Sequence, residues 1–261
     1  KALHDLDQII PPKRRERIYE LIQEINPNLT EEEFVSLLKG MNSRFLSALS
    51  GERLILALNL FFRARSRDHC QYEVRYNEEW KSDQGDIPSM QIILAWRNTP
   101  KHQFLFRLSK IVFRHRLMMK RVNATYVNPY SPNSILLMSI GLHGRNGKAA
   151  WDEANIHDFL QELTTLKYFI EFPVTEKTFV DSYMISGNMG NFLKAAIRFV
   201  HQMLLHADPN LYSLDNIEEG MCRHPELTVQ LCKIFEFRFH PTKHNQEHYD
   251  QERDKFLDQI N

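Results

Sequence analysis

Glycine is scarce in this chain. It accounts for only 9 of the 261 residues, which is about half of the ~7% that is usual in globular proteins. Tight turns and phosphate-binding loops rely on glycine, because glycine adopts backbone conformations with positive φ at little cost. The shortage therefore favours a fold rich in helices and argues against one built around a glycine-rich nucleotide loop.

Excess charge, disulfide frameworks and long apolar runs are lacking as well. The 33 basic and 33 acidic residues balance, which argues against an acidic tail protein and against a nucleic-acid coat. Three cysteines are too few for a disulfide framework and favour a cytoplasmic location. The longest strongly apolar run, Ile135 to Leu142, is far shorter than the ~20 residues of a membrane span, so we expect no membrane partner.

Because the chain starts at Lys1 without an initiator methionine or a signal-like segment, we expect it to be part of a longer protein.

What is present is an ordinary globular composition, with 43% hydrophobic and 25% charged residues, which excludes disorder across the whole chain.

The first segment has the 3.6-residue periodicity of three helices. Ile18, Ile22 and Ile25 lie on one helical face, and Thr30 forms a capping box with Glu33. We therefore predict a helical N-terminal segment over 1–67.

The pattern then changes from helices to strands. Tyr72, Val74 and Tyr76 alternate with polar residues, as in a half-buried strand. A hairpin between two helical crossovers is the ferredoxin-like βαββαβ pattern. We therefore predict an α+β domain over 68–173, whose sheet the strand at 71–76 extends. In order, the pattern predicts a strand at 90–96, a helix starting at Thr99-Pro100, strands at 117–127 and 134–142, a helix near 156–163 and a strand at 168–172.

Residues 174–261 return to helical periodicity. A long amphipathic helix is predicted from Phe192 to Leu204, and Asp208-Pro209 ends it. The charged stretch from His244 to Asn261 predicts a surface helix or a linker. We therefore predict a third, helical segment over 174–261.

Two glycine patterns resemble ligand loops only in outline. Gly141 to Lys148 lies between a predicted strand and a predicted helix, but it has neither the Walker A nor the dinucleotide spacing, so a plain turn is favoured. Gly187-Asn-Met-Gly190 has the outline of an RNA-binding loop but no basic residue between its glycines, so a helix start is favoured.

Metal and catalytic patterns are also incomplete. His240, His244 and His248 have the i, i+4, i+8 spacing of a metal-binding stripe, but Pro241 breaks a helix there. Exposed histidines are therefore the favoured interpretation. No nucleophile elbow, Cys/His pair or paired carboxylates can be located from spacing. We predict no catalytic residue and no metal site in this chain.

A basic run is open to two interpretations. Lys101 to Arg121 holds seven basic residues and no acid, which suits either a nucleic-acid surface or a helix face that meets an acidic neighbour. The acids cluster from residue 152 onward, which favours the second interpretation. The central strand Ile135 to Ile140 is aliphatic and lacks the aromatic residues on which RNA bases stack. We predict no nucleic-acid partner.

Several long strings resemble the N-terminal portion of large bacterial NAD-specific glutamate dehydrogenases. They are Ile87 to His102, Arg121 to Tyr126, Gly141 to Gly144, Ser186 to Asn191, Ala207 to Tyr212 and Cys222 to Leu227, and the resemblance covers roughly residues 60 to 240.

The resemblance implies a parent enzyme that converts L-glutamate, NAD and water to 2-oxoglutarate, ammonium and NADH. It also implies that the Lys-Gly-Gly glutamate site, the catalytic Lys and Asp and the Rossmann domain lie downstream. The dipeptide Gly-Gly does not occur here, so none of those residues is assigned to this chain. We expect a non-catalytic regulatory or assembly region that holds no cofactor itself, while NAD serves the parent. Its expected partners are the catalytic part of the same chain and further copies in a homo-oligomer.

The region 90–172 also resembles an ACT-type regulatory module. In that family a strand ends at Asp-x-Pro-Gly before the first helix, and a small effector binds near this turn. The corresponding residues here are Asn98, Thr99, Pro100 and Lys101, so a lysine replaces the family's glycine. The resemblance implies an amino-acid effector held by Asn98, Thr99, Lys101 and His102. The alternatives are an anion held by Lys101 or His102 at the helix N-terminus, and a module kept only for packing or subunit contact.

Overall fold

Four strands form one antiparallel sheet in the computed structural model, which describes residues 6–77 and 89–260. The strands are β1 (Gln71–Asn77), β2 (Ser89–Arg97), β3 (Leu117–Val127) and β4 (Ile135–Gly144). Their order across the sheet is β1-β2-β4-β3, and every neighbouring pair is antiparallel. The predicted α+β class is therefore confirmed.

The contacts within the chain divide it into two units, at residue 167/168. We call the part up to residue 167 the sheet unit and the part from residue 168 the helical unit. In the sheet unit, five helices precede β1, one connects β2 to β3, and two follow β4. They are α1 (Leu6–Ile9), α2 (Pro12–Ile25), α3 (Glu31–Lys39), α4 (Ser43–Ala48), α5 (Gly51–Ala64), α6 (Phe104–Arg114), α7 (Ala150–Glu153) and α8 (Ile156–Thr165).

The two central strands are apolar on both faces, and helices cover both faces. On one face, Ile93 and Ala95 of β2 and Leu137 of β4 pack with the core side chains of α1–α5. On the other face, Leu94 and Met138 pack with side chains of α6 and α8. A strand that is buried on both sides has no polar alternation, which explains its continuous apolar sequence.

This packing differs from the predicted domain boundaries. The helical segment predicted as 1–67 shares a core with the sheet, so the boundary expected at 67/68 lies inside one unit. The observed division at 167/168 falls just before the expected boundary at 173/174. Periodicity marks where helices end, but it does not show which sheet face a helix covers.

The strand predicted at 168–172 does not form, so the observed order is ββαββα rather than βαββαβ. A 3₁₀ turn spans Leu166–Tyr168, and a short helix, α9 (Pro173–Thr175), follows. The edge of β2 is already paired with β1. Instead of a strand, the side chain of Lys167 reaches that edge, and its Nζ donates to the carbonyl oxygens of Asp68 and Arg97 at 2.7 and 2.8 Å.

The helical unit continues with a π-helical turn at Glu176–Val180 and four longer helices. They are α10 (Gly187–Leu204), α11 (Leu214–Arg223), α12 (Pro225–Phe239) and α13 (Gln246–Ile260). The long helix predicted around 192–204 is confirmed as the C-terminal part of α10. Phe172, Phe179, Leu193, Ile197 and Cys232 form the core of this unit, and α13 has no buried residue. None of the described helices is both long enough and apolar enough to cross a membrane.

A close contact between α10 and the π-helical turn explains one glycine. A Cβ on Gly190 would lie well inside van der Waals distance of Cγ2 of Val180. Valine cannot easily rotate away, because its β-branched side chain has one favoured rotamer in a helix. Gly190 therefore sets the distance between the two elements.

We expect Gly190→Ala to destabilise the helical unit by about 1–3 kcal/mol, because the added methyl overpacks the contact with Val180. The matched control is Gly220→Ala in α11, where an added Cβ meets nothing within 4 Å. There alanine should stabilise the helix by about 0.5–1 kcal/mol. Chemical denaturation of both variants measures the difference, and an equal change in the two would contradict this role of Gly190.

Candidate functional site

The predicted effector turn connects β2 to α6. Strand β2 ends at Arg97, and α6 begins at Phe104 rather than at Pro100, so the predicted helix start is wrong. Asn98 has a φ of 52°, and its N–H donates to the carbonyl oxygen of Ser134 at 2.8 Å. Gln103, which precedes the helix, also has a positive φ, of 58°, and its side chain does not cap the helix. Two residues with a left-handed backbone conformation thus lengthen the turn before the helix starts.

The remaining predicted residues of this turn have different environments. Thr99 is buried, and its hydroxyl donates to the carbonyl oxygen of Trp96 at 3.0 Å. Lys101 is exposed, and its Nζ lies 5.5 Å from the ring centre of Tyr126 and 5.1 Å from that of Tyr130. A lysine over aromatic rings gains a cation–π attraction. The Thr99 hydroxyl and the Lys101 ammonium therefore already have structural contacts.

His102 is exposed on the same turn, next to Lys101. The turn thus brings the four predicted residues together in sequence but gives Thr99 and Lys101 roles in its own structure. Effector binding by Asn98, Thr99, Lys101 and His102 stays a prediction.

A buried carboxylate lies between α6 and α8. Glu162 of α8 is 3% exposed. It forms an ion pair with Arg114, and its Oε2 lies 2.7 Å from Nε2 of His115. The ring of His115 also packs edge-on against Phe159, with the ring centres 5.5 Å apart. Glu162 therefore ties the end of α6 to α8 through two basic side chains.

Two opposing effects set the acidity of Glu162. Burial alone would raise the pKa of its carboxyl group, but the hydrogen bond with His115 and the charge and hydrogen bond of Arg114 outweigh burial. The pKa is consequently lower than the usual 4.5. The ion pair with Arg114 is also what the acidic-neighbour interpretation of the basic run expects.

A second group of charges lies on the α5 side of the sheet. Arg75 of β1 pairs with Gln91 of β2, Gln91 pairs with Gly141 of β4, and Gly141 pairs with Arg121 of β3. Arg53, in the first turn of α5, is close enough to Arg121 and Arg75 for their charges to act on it. Burial and then the charges of Arg121 and Arg75 lower the pKa of Arg53 to about 10. We call Arg53, Arg75 and Arg121, with Gln91 and Gly141, the arginine row.

Sequence reasoning missed the arginine row. Its residues come from five separate elements, and only the strand register places them on one line. Arg121 belongs to the predicted basic run, but spacing alone does not distinguish its side of the sheet from that of its neighbours.

The cysteines do not provide a reactive thiolate. Burial raises the pKa of Cys70 to about 12, and burial together with the charge of Glu236 raises that of Cys232 to about 11. Burial also raises the pKa of Cys222. Nucleophilic and metal-binding cysteines require a lowered pKa, so these thiols are poorly suited to either task.

The three histidines of the predicted stripe have different partners. Nδ1 of His240 accepts a hydrogen bond from the N–H of Thr242 at 3.2 Å. Nδ1 of His244 lies 3.0 Å from the carbonyl oxygen of Arg238. The ring of His248 stacks on Phe237, with the ring centres 5.3 Å apart. Within residues 6–77 and 89–260, no group of three or more His, Cys, Asp or Glu side chains has a metal-binding arrangement.

Comparisons with protein-family models, with curated proteins and with solved structures found no match to this chain.

We expect Glu162→Gln to destabilise the sheet unit by about 1–3 kcal/mol, because it removes the buried carboxylate charge that contacts both Arg114 and His115. The control is Glu73→Gln, which removes an exposed ion pair with Arg63 and should cost less than about 1 kcal/mol. Urea denaturation near neutral pH measures both values, and equal losses would contradict the structural role of Glu162.

The contribution of Glu162 should also depend on pH. Since its folded-state pKa is lower than its unfolded-state pKa, the stabilisation is present above pH 4.5 and is lost as the pH falls through the folded-state value. The stability difference between wild type and Glu162→Gln should therefore shrink in acid. A difference that stays constant from neutral pH down into this acidic range would contradict the lowered pKa.

Proposed function

We propose that this chain is the non-catalytic regulatory or assembly region of an NAD-specific glutamate dehydrogenase. The observation that carries the proposal is the set of long strings between residues 60 and 240, which extend over both units. NAD and glutamate would bind to a downstream catalytic part of the same chain. The three thiols, none of them in a disulfide, fit a reducing compartment such as the bacterial cytoplasm.

The roles of the string residues in the structure support this assignment. The ring of Trp96 is fully buried, and its Nε1 donates to the carbonyl oxygen of Asp68 at 3.1 Å. Gly190 allows α10 to approach Val180, and the N–H of Gly144 donates to the carbonyl oxygen of Lys148 at 2.8 Å. Each of these residues stabilises the interior of its own unit, as expected for a structural region.

The chemistry of the titratable groups points in the same direction. The carboxylate with a lowered pKa is held by Arg114 and His115, and the thiols have raised pKa values. Catalytic groups instead have pKa values matched to proton transfer or nucleophilic attack near the working pH. The perturbed groups described here are therefore suited to stability rather than to turnover.

The ACT-like fold is also part of this proposal. The order β2-α6-β3-β4-α8 follows the first five elements of a βαββαβ module, with α7 as a short addition. β1 takes the edge position beside β2 that the sixth element would occupy. An ACT-like module would place this region at contacts between copies of the chain, which fits a homo-oligomer and requires no nucleic acid.

The purified chain should form no NADH from L-glutamate and NAD, because the residues that the resemblance assigns to catalysis lie elsewhere. NADH absorbance measures this, with an authentic glutamate dehydrogenase as the positive control. Glutamate-dependent turnover by this chain alone would contradict a non-catalytic role. The regulatory or assembly role predicts that removing this region from the full-length enzyme changes its oligomeric state or its response to effectors.

A further inference from the structure

We propose that two copies of this chain form a symmetric dimer through an exposed apolar surface of the helical unit. We call this surface the outer aromatic face. It consists of Phe199, Val200 and Met203 of α10 and Leu231, Phe235 and Phe239 of α12. The inference rests on the assembly role in the proposed function and deepens it, because it names the contact surface and the partner.

Helix α10 is apolar on two opposite sides. Leu193 and Ile197 face inward and are buried in the core of the helical unit. The rotation of 100° per residue places Phe199 and Met203 on the other side, where they are 63% and 64% exposed. A helix that is apolar all round is normally buried all round. The outward side of α10 therefore has the composition of a covered surface but is not covered within the described chain.

Helix α12 adds an apolar stripe beside α10. Leu231, Phe235 and Phe239 follow one another at intervals of four residues, so they lie one above the other on the helix. The ring of Phe235 stacks on that of Phe192 in α10, with the ring centres 4.0 Å apart, and contacts Phe239 at 4.8 Å. These ring contacts join the two helices into one continuous face.

The size of the face matches what a stable dimer requires. Phe199, Phe235 and Phe239 alone expose on the order of 300 Å², since one such side chain has about 200 Å² of surface. With the three aliphatic residues the face reaches roughly 600 Å², the upper end for the largest patch on a monomer. A stable interface buries about 800 Å² per partner, about two-thirds of it apolar in homodimers. The outer aromatic face can supply that apolar part.

The charges of α10 do not point to a charged partner. The helix has two charged residues, and both have partners within the chain. Nζ of Lys194 lies 2.5 Å from Oε2 of Glu176 on the inner side, and Arg198 forms an ion pair with Glu171. The outward side of α10 therefore offers apolar contacts rather than attraction for an acidic or a basic surface.

The charges of α12 are balanced as well. Glu236 forms an ion pair with Lys243 at 2.6 Å, and Arg238 contacts side chains of α13. Glu226 and Lys233 have opposite signs, and the helical rotation places both on the side away from the stripe. Two copies can thus bring their faces together without strong repulsion between like charges.

A second copy is the partner that fits this face. A two-fold axis brings the same patch from both chains together, so an uncharged apolar face meets an equally uncharged one. Side chains four residues apart, as in Leu231, Phe235 and Phe239, form ridges that pack into the grooves of a second helix at about −50°. The phenylalanine rings at the centre are the kind of anchor that contributes most to such interfaces.

Sedimentation velocity of the whole chain over a range of concentrations tests the interface. We expect the wild type to show a monomer–dimer equilibrium. Phe199→Glu in α10 and, separately, Phe239→Glu in α12 should each raise the dimer Kd about a hundredfold. A symmetric interface contains the substituted residue twice, and each lost contact is worth about tenfold. Circular dichroism and thermal unfolding show whether each variant is folded.

The matched control is Phe106→Glu in α6 of the sheet unit. It makes the same substitution at a phenylalanine that is 60% exposed and lies next to Lys110 rather than on the face. The dimer Kd of this variant should be unchanged.

A wild-type chain that stays monomeric at every concentration would overturn the proposal and leave the face as a contact for the catalytic part. Dimerisation that withstands both Phe199→Glu and Phe239→Glu, or that Phe106→Glu weakens equally, would overturn it too. The NADH assay separates this outcome from a failure of the proposed function. A monomeric chain that forms no NADH contradicts the dimer interface alone, whereas glutamate-dependent turnover contradicts the non-catalytic role whether or not the chain is a dimer.

Discussion

The burial of β2 and β4 on both faces is the constraint on which the sheet unit depends. Each strand is almost continuously apolar, and exposing either face to water would cost about 25 cal/mol for every Å² of apolar surface. The helices before β1 cover one face, and α6 with α8 cover the other. The N-terminal helices are therefore part of the same folding unit as the sheet, although their sequence has the periodicity of a separate helical segment.

Polar groups occur where this double burial ends or is interrupted. Glu162 lies between the two helices on one side and is compensated by Arg114 and His115. On the other face of the sheet, the apolar residues end near Gln91 and Gly141, beside the first turn of α5. A charge network on the α8 side holds two helices together, whereas the strand register of the arginine row brings residues of four strands onto one line.

The two candidate sites differ in what their side chains already do. In the turn before α6, the Thr99 hydroxyl bonds to the Trp96 carbonyl, and Lys101 lies over Tyr126 and Tyr130. In the arginine row, Gln91 retains an unsatisfied acceptor. An effector at the turn would have to replace contacts that stabilise it.

The sequence by itself determined the local structure of this protein, namely the α+β class, the buried strands, the capping box of α3 and the long helix of the helical unit. Each of these depends on neighbours a few residues apart, so periodicity reveals them. Tertiary structure decided that β1 takes the edge beside β2, that Arg121 turns to the α5 side, and that α6 begins at Phe104. Strand pairing and bulges join residues that are distant in sequence, and no spacing within one segment records them.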